Sequence, residues 1–454
     1  MNIIICGCGK IGAALIDALA AEGHNVTALD NDPAVLTEMT NVHDVIGVCG
    51  NGADCETLEE TGVRQAELFV AVTGSDELNM LACFLAKRMG ALHTIARIRN
   101  PEYNDSSLDF MKRELGLSMA INPELLAARE LFDVLRMPSA AKIETFSGRT
   151  FEIAELRLKD DSVLDGLTLR DLRNTYKTQV LVCTVQRGED VFIPSGDFVL
   201  KSGDRIGITS SPAEIVKFMR QIGLLQKKAR SVMLLGGSRT AYYLAKMLVS
   251  SGADVKIIER DMAVAQLFSD EIPGASVVLG DGAQQELLLE EGIRDTDAFV
   301  SLTCMDEENI LISIYASSQN VPKVISKINR DELMPMAEKL GLDTFISPRR
   351  IIADVLVQYA RALENSRGSQ VETMYKLMDG CVEALEFRVT QEAAGLTGVE
   401  LRSMKRKPQI LIAGIIRGRR TIVPGGEDVI HVGDRVIVLA GAGHRLGDLS
   451  DILA

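Results

Sequence analysis

Two kinds of hydrophobic pattern alternate along this chain. Short β-branched runs at Asn2–Cys6, Asn25–Asp30, Asp44–Val48, Leu68–Val72 and Thr94–Arg99 predict strands. Between the first two, Ile11–Ala21 places Ile11, Leu15, Ala18 and Leu19 on one face, which predicts an amphipathic helix. Strands alternating with such helices predict an α/β domain, a Rossmann-like doubly wound parallel sheet with crossover helices. A different rhythm follows. Glu152–Leu158, Gln179–Gln186 and Arg205–Thr209 read as short strands around one helical piece near Leu169–Asn174, with Pro194 and Gly203 in turns. That predicts a small α+β module.

The pattern is then written a second time. At an offset of 229 residues, Gly7 meets Gly236, Leu15 meets Leu244, Gly23 meets Gly252 and Asp32 meets Asp261. At an offset of 230, Gly50-Asn51-Gly52-Ala53 meets Gly280-Asp281-Gly282-Ala283. In the same frame Phe69-Val70, Thr73, Asp76-Glu77 and Asn79 return as Phe299-Val300, Thr303, Asp306-Glu307 and Asn309. The module repeats too, since Pro194 and Gly203-Asp204-Arg205 are echoed by Pro424 and Gly433-Asp434-Arg435. Such a repeat decides the architecture. The expected order is a first doubly wound domain at 1–138, a module at 139–223, a linker at 224–230, a second domain at 231–370 and a second module at 371–454.

Composition narrows the partners. The 454 residues are 46% hydrophobic and 25% charged, as in ordinary soluble proteins. A formal net charge of −14 argues against nucleic acid as a partner, and the absence of Trp argues against base-stacking platforms. Apolar runs such as Ile410–Ile416 stop far short of the ~20 residues a bilayer demands. The N-terminus shows no leader pattern, which points to the cytoplasm. Eight scattered cysteines without a CxxC pair read as buried or loop thiols, with no metal site expected.

The candidate chemistry lies at glycine turns. Gly7-Cys8-Gly9-Lys10-Ile11-Gly12 matches G-x-G-x-x-G directly after a strand and at the opening of a helix. There the first glycine permits the tight turn, the second lets a pyrophosphate approach, and the third lets helix and strand pack. The helix N-terminus adds amide N–H groups and a partial positive charge. Asp30, 18 residues after Gly12, is placed either to accept hydrogen bonds from ribose hydroxyls or to hold its own turn. An acid there repels a 2′-phosphate, so adenosine nucleotides and NAD(H) are favoured over NADP(H). Thr73 and Gly74 follow the fourth predicted strand, Arg97 lies on the fifth, and Asn51 belongs to a turn at the same edge. Arg97 either meets a phosphate or forms an ordinary surface ion pair.

The second copy departs from this motif. Gly236-Gly237-Ser238-Arg239-Thr240-Ala241 keeps the first glycine, but Ser238 and Ala241 replace the second and third. Glu259 stands for Asp30, Asp281 for Asn51 and Lys327 for Arg97, while Thr303 repeats Thr73. Serine adds a side chain where a phosphate must approach.

An enzyme would need more. The five histidines form no acid–base constellation, and no GKS/GKT loop or HExxH appears. Tyr242 and Lys246 form a Y-x-x-x-K, but in the first helix after a glycine turn, too early for dehydrogenase chemistry. What remains is a nucleotide sensor without catalytic residues.

The chain resembles the RCK family, the regulators of potassium conductance also called KTN. The stretches Ile3–Gly12, Ala71–Met80 and Ile95–Tyr103 and the Pro194…Gly203-Asp204-Arg205 pattern carry the resemblance, which spans essentially the whole chain with its duplication. It implies four chains forming a ring of eight nucleotide-binding domains, peripheral on the inner membrane face, beneath a Trk-type membrane potassium-translocating subunit. It implies that ATP, ADP and NAD(H) compete for the glycine turns and change the ring's shape. Carried over, the first site uses Gly7, Cys8, Gly9, Lys10, Ile11, Asp30, Asn51, Thr73, Gly74 and Arg97. The second uses Gly236, Gly237, Ser238, Arg239, Thr240, Glu259, Asp281, Thr303 and Lys327. Two alternatives stay open, an NAD-dependent oxidoreductase and a sensor for some other membrane protein. A second ligand on the small modules, such as a cyclic dinucleotide, is also open.

Overall fold

Ile3, Ile4 and Ile5 are β-branched and buried on both faces, as an interior parallel strand requires. In the computed structural model they lie in β1 (Asn2–Cys6), at the centre of the first sheet. All residues are described except 104, 137–139, 141, 147–149, 160, 225–227, 366–370, 419, 442 and 445. The expected boundary at 138/139, residue 370 and the middle of the linker therefore lie outside the described residues.

The other strands of this sheet are β2 (Asn25–Asp30), β3 (Ile46–Cys49), β4 (Leu68–Ala71), β5 (His93–Arg97) and β6 (Met119–Ile121). They run in the order β3-β2-β1-β4-β5-β6, all parallel. The connecting helices are α1 (Lys10–Ala21), α2 (Pro33–Val42), α3 (Cys55–Glu60), α4 (Asp76–Met89), α5 (Asp105–Leu115) and α6 (Pro123–Arg136). Direction of growth reverses between β1 and β4, which makes the carboxyl end of β1 the topological switch point. The glycine turn occupies that place.

The first module holds β7 (Lys142–Phe146), β8 (Phe151–Arg157), β9 (Leu181–Arg187), β10 (Asp190–Phe192) and β11 (Arg205–Ser210). They pair antiparallel in the order β10-β9-β11-β8-β7, with α7 (Leu169–Tyr176) and α8 (Pro212–Gln221) alongside. Helix α8 was not foreseen in the pattern. It begins with Pro212 and buries Ile215, Phe218 and Met219 in the module's core.

The second half repeats the first. Strands β12 (Ser231–Leu235), β13 (Asp254–Glu259), β14 (Ala275–Leu279), β15 (Ala298–Ser301), β16 (Lys323–Lys327) and β17 (Phe345–Ile346) take the order β14-β13-β12-β15-β16-β17. Its helices are α9 (Arg239–Ser250), α10 (Met262–Glu271), α11 (Gln285–Glu290), α12 (Asp306–Ser318), α13 (Met334–Lys339) and α14 (Pro348–Asn365). The second module pairs β18 (Val371–Leu377), β19 (Val382–Arg388), β20 (Ile410–Arg417), β21 (Arg420–Ile422) and β22 (Arg435–Gly441) in the order β18-β19-β22-β20-β21. That is the first module's order strand for strand. Each module also pins its last long strand with the same device. Arg187 clasps Asp204 at 2.8 and 2.7 Å, and Arg417 clasps Asp434 at 2.8 Å twice.

The compact units do not follow the chain's halves. One comprises Met1–Arg129 together with Ile346–Arg361, and the other Glu130–Phe345 with Ala362–Ala454. In the first unit, α14 lies against the first domain. Arg361 donates two 2.8 Å bonds to the Glu22 carboxylate at the end of α1, and the Tyr359 hydroxyl lies 3.4 Å from His93 Nδ1. In the second unit, the end of α6 joins the second domain. Leu135 accepts a bond from Ala229 N–H at 3.3 Å, and buried Lys323 donates to Ala140 O at 2.9 Å. The second unit also holds a core shared by both module sheets, with Phe146, Phe151 and Cys183 packed among Leu377, Met378 and Ile437. Burial of each such large side chain is worth roughly 1.5–3 kcal/mol.

Candidate functional site

The first turn is fixed by three glycines under three different constraints. Gly7 has φ +96°, and a Cβ there would stand 2.7 Å from Thr73 N. Gly12 has no room either, since its Cβ would fall 1.9 Å from the Gly7 carbonyl oxygen. Gly9 is the opposite case. A Cβ there meets nothing within 4 Å, because this position faces open space. Gly9 is also the N-cap of α1, and no side chain caps that helix. The first N–H groups of α1 have no partner within the helix, and the macrodipole adds positive potential there. An exposed Lys10 stands beside them and Ile11 is half-buried.

Asp30 ends β2 beside this turn and folds back onto it. Its Oδ2 accepts the Cys8 N–H at 2.6 Å, and its Oδ1 accepts the Asp32 N–H at 3.0 Å. Asp30 thus holds its own turn, and a carboxylate's roughly four acceptor positions exceed these two bonds. Burial, reinforced by Asp30, pushes the Cys6 and Cys8 thiols up to about 12. Neither is a thiolate at neutral pH. Cys83 and Cys183 are buried as well, whereas Cys49, Cys55, Cys304 and Cys381 are exposed.

Two further loops complete the edge. Gly50 N–H bonds to Asp30 O at 2.9 Å, which brings the Asn51 turn alongside. There Asn51 Oδ1 accepts from Ala53 N–H at 3.0 Å, and Gly52 lies so close to Cys6 that a Cβ would stand 2.3 Å from its sulfur. On the other side Thr73 abuts Gly7, and exposed Gly74 follows it. Arg97 is only 7% exposed, and its guanidinium donates to the Thr73 carbonyl. The surface ion-pair reading is therefore set aside.

Sequence reasoning missed the residue beneath these groups. Asn79 on α4 is wholly buried. Its Oδ1 accepts from Thr73 N–H at 2.8 Å and from Thr73 Oγ1 at 2.7 Å. Its Nδ2 donates to Arg97 O at 2.9 Å and Thr73 O at 3.3 Å. Nearby, Asp76 Oδ2 accepts the N–H groups of Arg99 and Asn100, both at 2.8 Å. The available signal was the repeat, in which both residues recur.

The second turn has the same frame and a different filling. Gly236 has φ +92°, and Gly237 N–H donates to Glu259, as Cys8 does to Asp30. A Cβ on Gly237 would stand 2.5 Å from Val264 Cγ1 and 3.0 Å from Glu259 Oε2. Ser238 caps α9 itself, its hydroxyl accepting from Ala241 N–H at 3.3 Å. One of the first N–H groups of α9 is thus taken by the chain itself. Arg239 is exposed and Thr240 buried. Asp281 repeats the Asn51 turn, with Ala283 N–H at 3.0 Å from Oδ1. Asn309 repeats Asn79 on Thr303 N–H at 2.9 Å, Thr303 Oγ1 at 2.8 Å and Lys327 O at 2.9 Å. Lys327 Nζ donates to Leu302 O at 3.1 Å. Lys246 Nζ donates to the hydroxyl of half-buried Tyr242 on α9, beside Glu271.

Two doubly wound folds in one chain, each with a glycine turn at its switch point and an antiparallel module behind it, define a tandem RCK-type protein. Residues 3–123 and 232–348 match the TrkA-N domain, and residues 153–223 and 384–450 match the TrkA-C domain. The chain belongs to the TrkA family. It is 31% identical to the Trk system potassium uptake protein TrkA homolog of Archaeoglobus fulgidus, over 97% of both chains. It is 28% identical to the Trk system potassium uptake protein TrkA of Haemophilus influenzae, over 96% of this chain and 95% of that one. Among solved structures, the GsuK RCK domain superposes with a TM-score of 0.63 at 17% identity, covering 97% of this chain and 92% of that one. The GsuK channel bound to NAD gives the same TM-score and identity, with 97% and 77% coverage.

Proposed function

We propose that this chain is the regulatory subunit of a Trk-type potassium uptake system, binding NAD(H), ATP or ADP in competition at its first glycine turn. The observation that carries this reading is the uncapped, unobstructed N-terminus of α1 beside Asp30, in a chain of the TrkA family. The NAD-bound GsuK channel, of the same fold, supports a nucleotide as the ligand class. The second turn, self-capped by Ser238, is the weaker site. Among the described residues no helix is long and apolar enough to cross a membrane. In this reading the translocating path belongs to a membrane partner.

The working assembly is a homotetramer whose eight doubly wound domains form a ring on the inner face of the membrane. Matched exposed apolar residues support self-association, with Leu81 on α4 and Phe110 on α5 repeated 230 residues later as Leu311 on α12 and Leu340 near α13. A nucleotide biases such a ring only through its difference in affinity between two ring states. Nothing in this role requires the bound nucleotide to react.

The deciding experiment is thermal-shift screening of the full chain with NAD, NADH, ATP and ADP, followed by potassium flux in vesicles holding the membrane partner. A true ligand raises the melting temperature by mass action. The expected result is stabilisation by at least one nucleotide and a nucleotide-dependent flux. No shift with any of the four, or steady conversion of NADH during incubation, would overturn the reading.

A further inference from the structure

Two groups of the candidate first site, Thr73 after β4 and Arg97 at the end of β5, share a partner. They meet at one buried amide. Asn79 accepts from both the N–H and the hydroxyl of Thr73, and donates to the carbonyls of Arg97 and Thr73. The Arg97 guanidinium closes the circuit on the same Thr73 carbonyl. Thr73 in turn presses on Gly7, whose missing side chain is what lets the two backbones approach. From these contacts we infer that Asn79 is a positioning residue for nucleotide binding, setting the wall of the first glycine turn through Thr73 and the guanidinium through Arg97. The inference rests on the first turn being the nucleotide site.

An asparagine suits this task better than its neighbours in chemistry. Its amide offers acceptor and donor on one rigid plane, so one side chain serves a backbone N–H, a hydroxyl and two carbonyls. Aspartate offers no donor for the carbonyls, and leucine of similar size would remove all four of these bonds at once from a buried place. Helix α4 carries Asn79 on the same buried face as Met80, Cys83 and Ala86, so the amide has little freedom to follow a displaced loop. The guanidinium is tied to the same loop through its own bond to the Thr73 carbonyl.

Asn309 supplies the matched reference, because it makes the same kinds of bond to Thr303 and Lys327, also wholly buried. NADH fluorescence titration of the full chain tests the inference, with melting temperatures measured in parallel. Asn79→Ala is expected to weaken NADH binding at least tenfold. Asn309→Ala is expected to lower the melting temperature comparably yet leave first-turn affinity within twofold. Asn79→Asp, nearly isosteric and keeping the acceptor, is expected to fall between wild type and Asn79→Ala, and it carries the test if the alanine variant does not fold. Wild-type affinity in folded Asn79→Ala or Asn79→Asp would overturn the inference, as would equal losses from Asn79→Ala and Asn309→Ala. If the wild-type chain itself binds no NADH, the nucleotide reading falls first and this inference falls with it.

Discussion

The two glycine turns share a strand, a left-handed first glycine, an acid folded onto the turn and a buried asparagine, yet only one leaves its helix end open. At the first, Gly9 presents vacant space and an uncapped α1. At the second, Ser238 places its hydroxyl on Ala241 N–H, and Val264 crowds Gly237. The strand order of the sheets is duplicated, while at the two turns the helix cap and the space beside the glycines differ. A Rossmann-like frame is therefore no evidence of an occupied site, because the frame survives when the turn is filled by its own side chains.

The largest expected effect is at the third motif position. Gly12→Ala forces a methyl against the Gly7 carbonyl and should cost on the order of 3 kcal/mol, the upper range for overfilling packed space. The second half already carries Ala241 there, so Ala241→Gly should cost only about 1 kcal/mol of helix propensity. Chemical denaturation of the two variants measures both, and equal costs would show that the helices approach their strands alike. Gly9→Asp places a carboxylate where phosphates would approach. Like-charge contact of this kind costs several kcal/mol, so calorimetry should show NADH affinity falling on the order of 100-fold or more. Unchanged affinity would move the ligand elsewhere.

Smaller effects follow from the acid and the cap. Asp30→Ala removes the brace on Cys8 and the carboxylate proposed to meet a ribose, and should weaken NADH binding by roughly 1–2 kcal/mol. Ser238→Gly should change stability by only a few tenths of a kcal/mol, since glycine is a tolerated N-cap. Its informative readout is stoichiometry. Opening the cap should raise calorimetric binding above one nucleotide per chain at high ligand, and a count that stays at one would assign the closure to Val264 and Ala241.

Much of this frame was readable from the pattern of side chains. Strand β1, helix α1 and the approximate positions along the chain of the first five strands follow from β-branched runs and helical spacing. β3 begins at Ile46 rather than Asp44, as an edge strand with three exposed residues gives a weak pattern. β6 and β17, three and two residues long, are too short to leave any period. Asn79 was read only as a repeated residue, since one polar side chain on an amphipathic helix gives no sign of facing inward. For Arg97 the sequence left a phosphate contact and a surface ion pair both open, and only the structure shows it buried on Thr73. Nor does periodicity reveal which sheet a helix covers. It shows that α6 and α14 each have an apolar face, and says nothing of the exchange that carries α14 to the first domain.

That exchange bears on ancestry and on handling. Arg361 grips Glu22 with both side chains largely out of water, so the contact is no incidental surface pairing. A gene cut between the repeats would encode two fragments, each carrying away a segment that its sibling needs as a lid. Produced singly, either fragment would be left with bare apolar surface and should aggregate; produced together, they should reassemble as two separate copies of a shorter ancestral chain would.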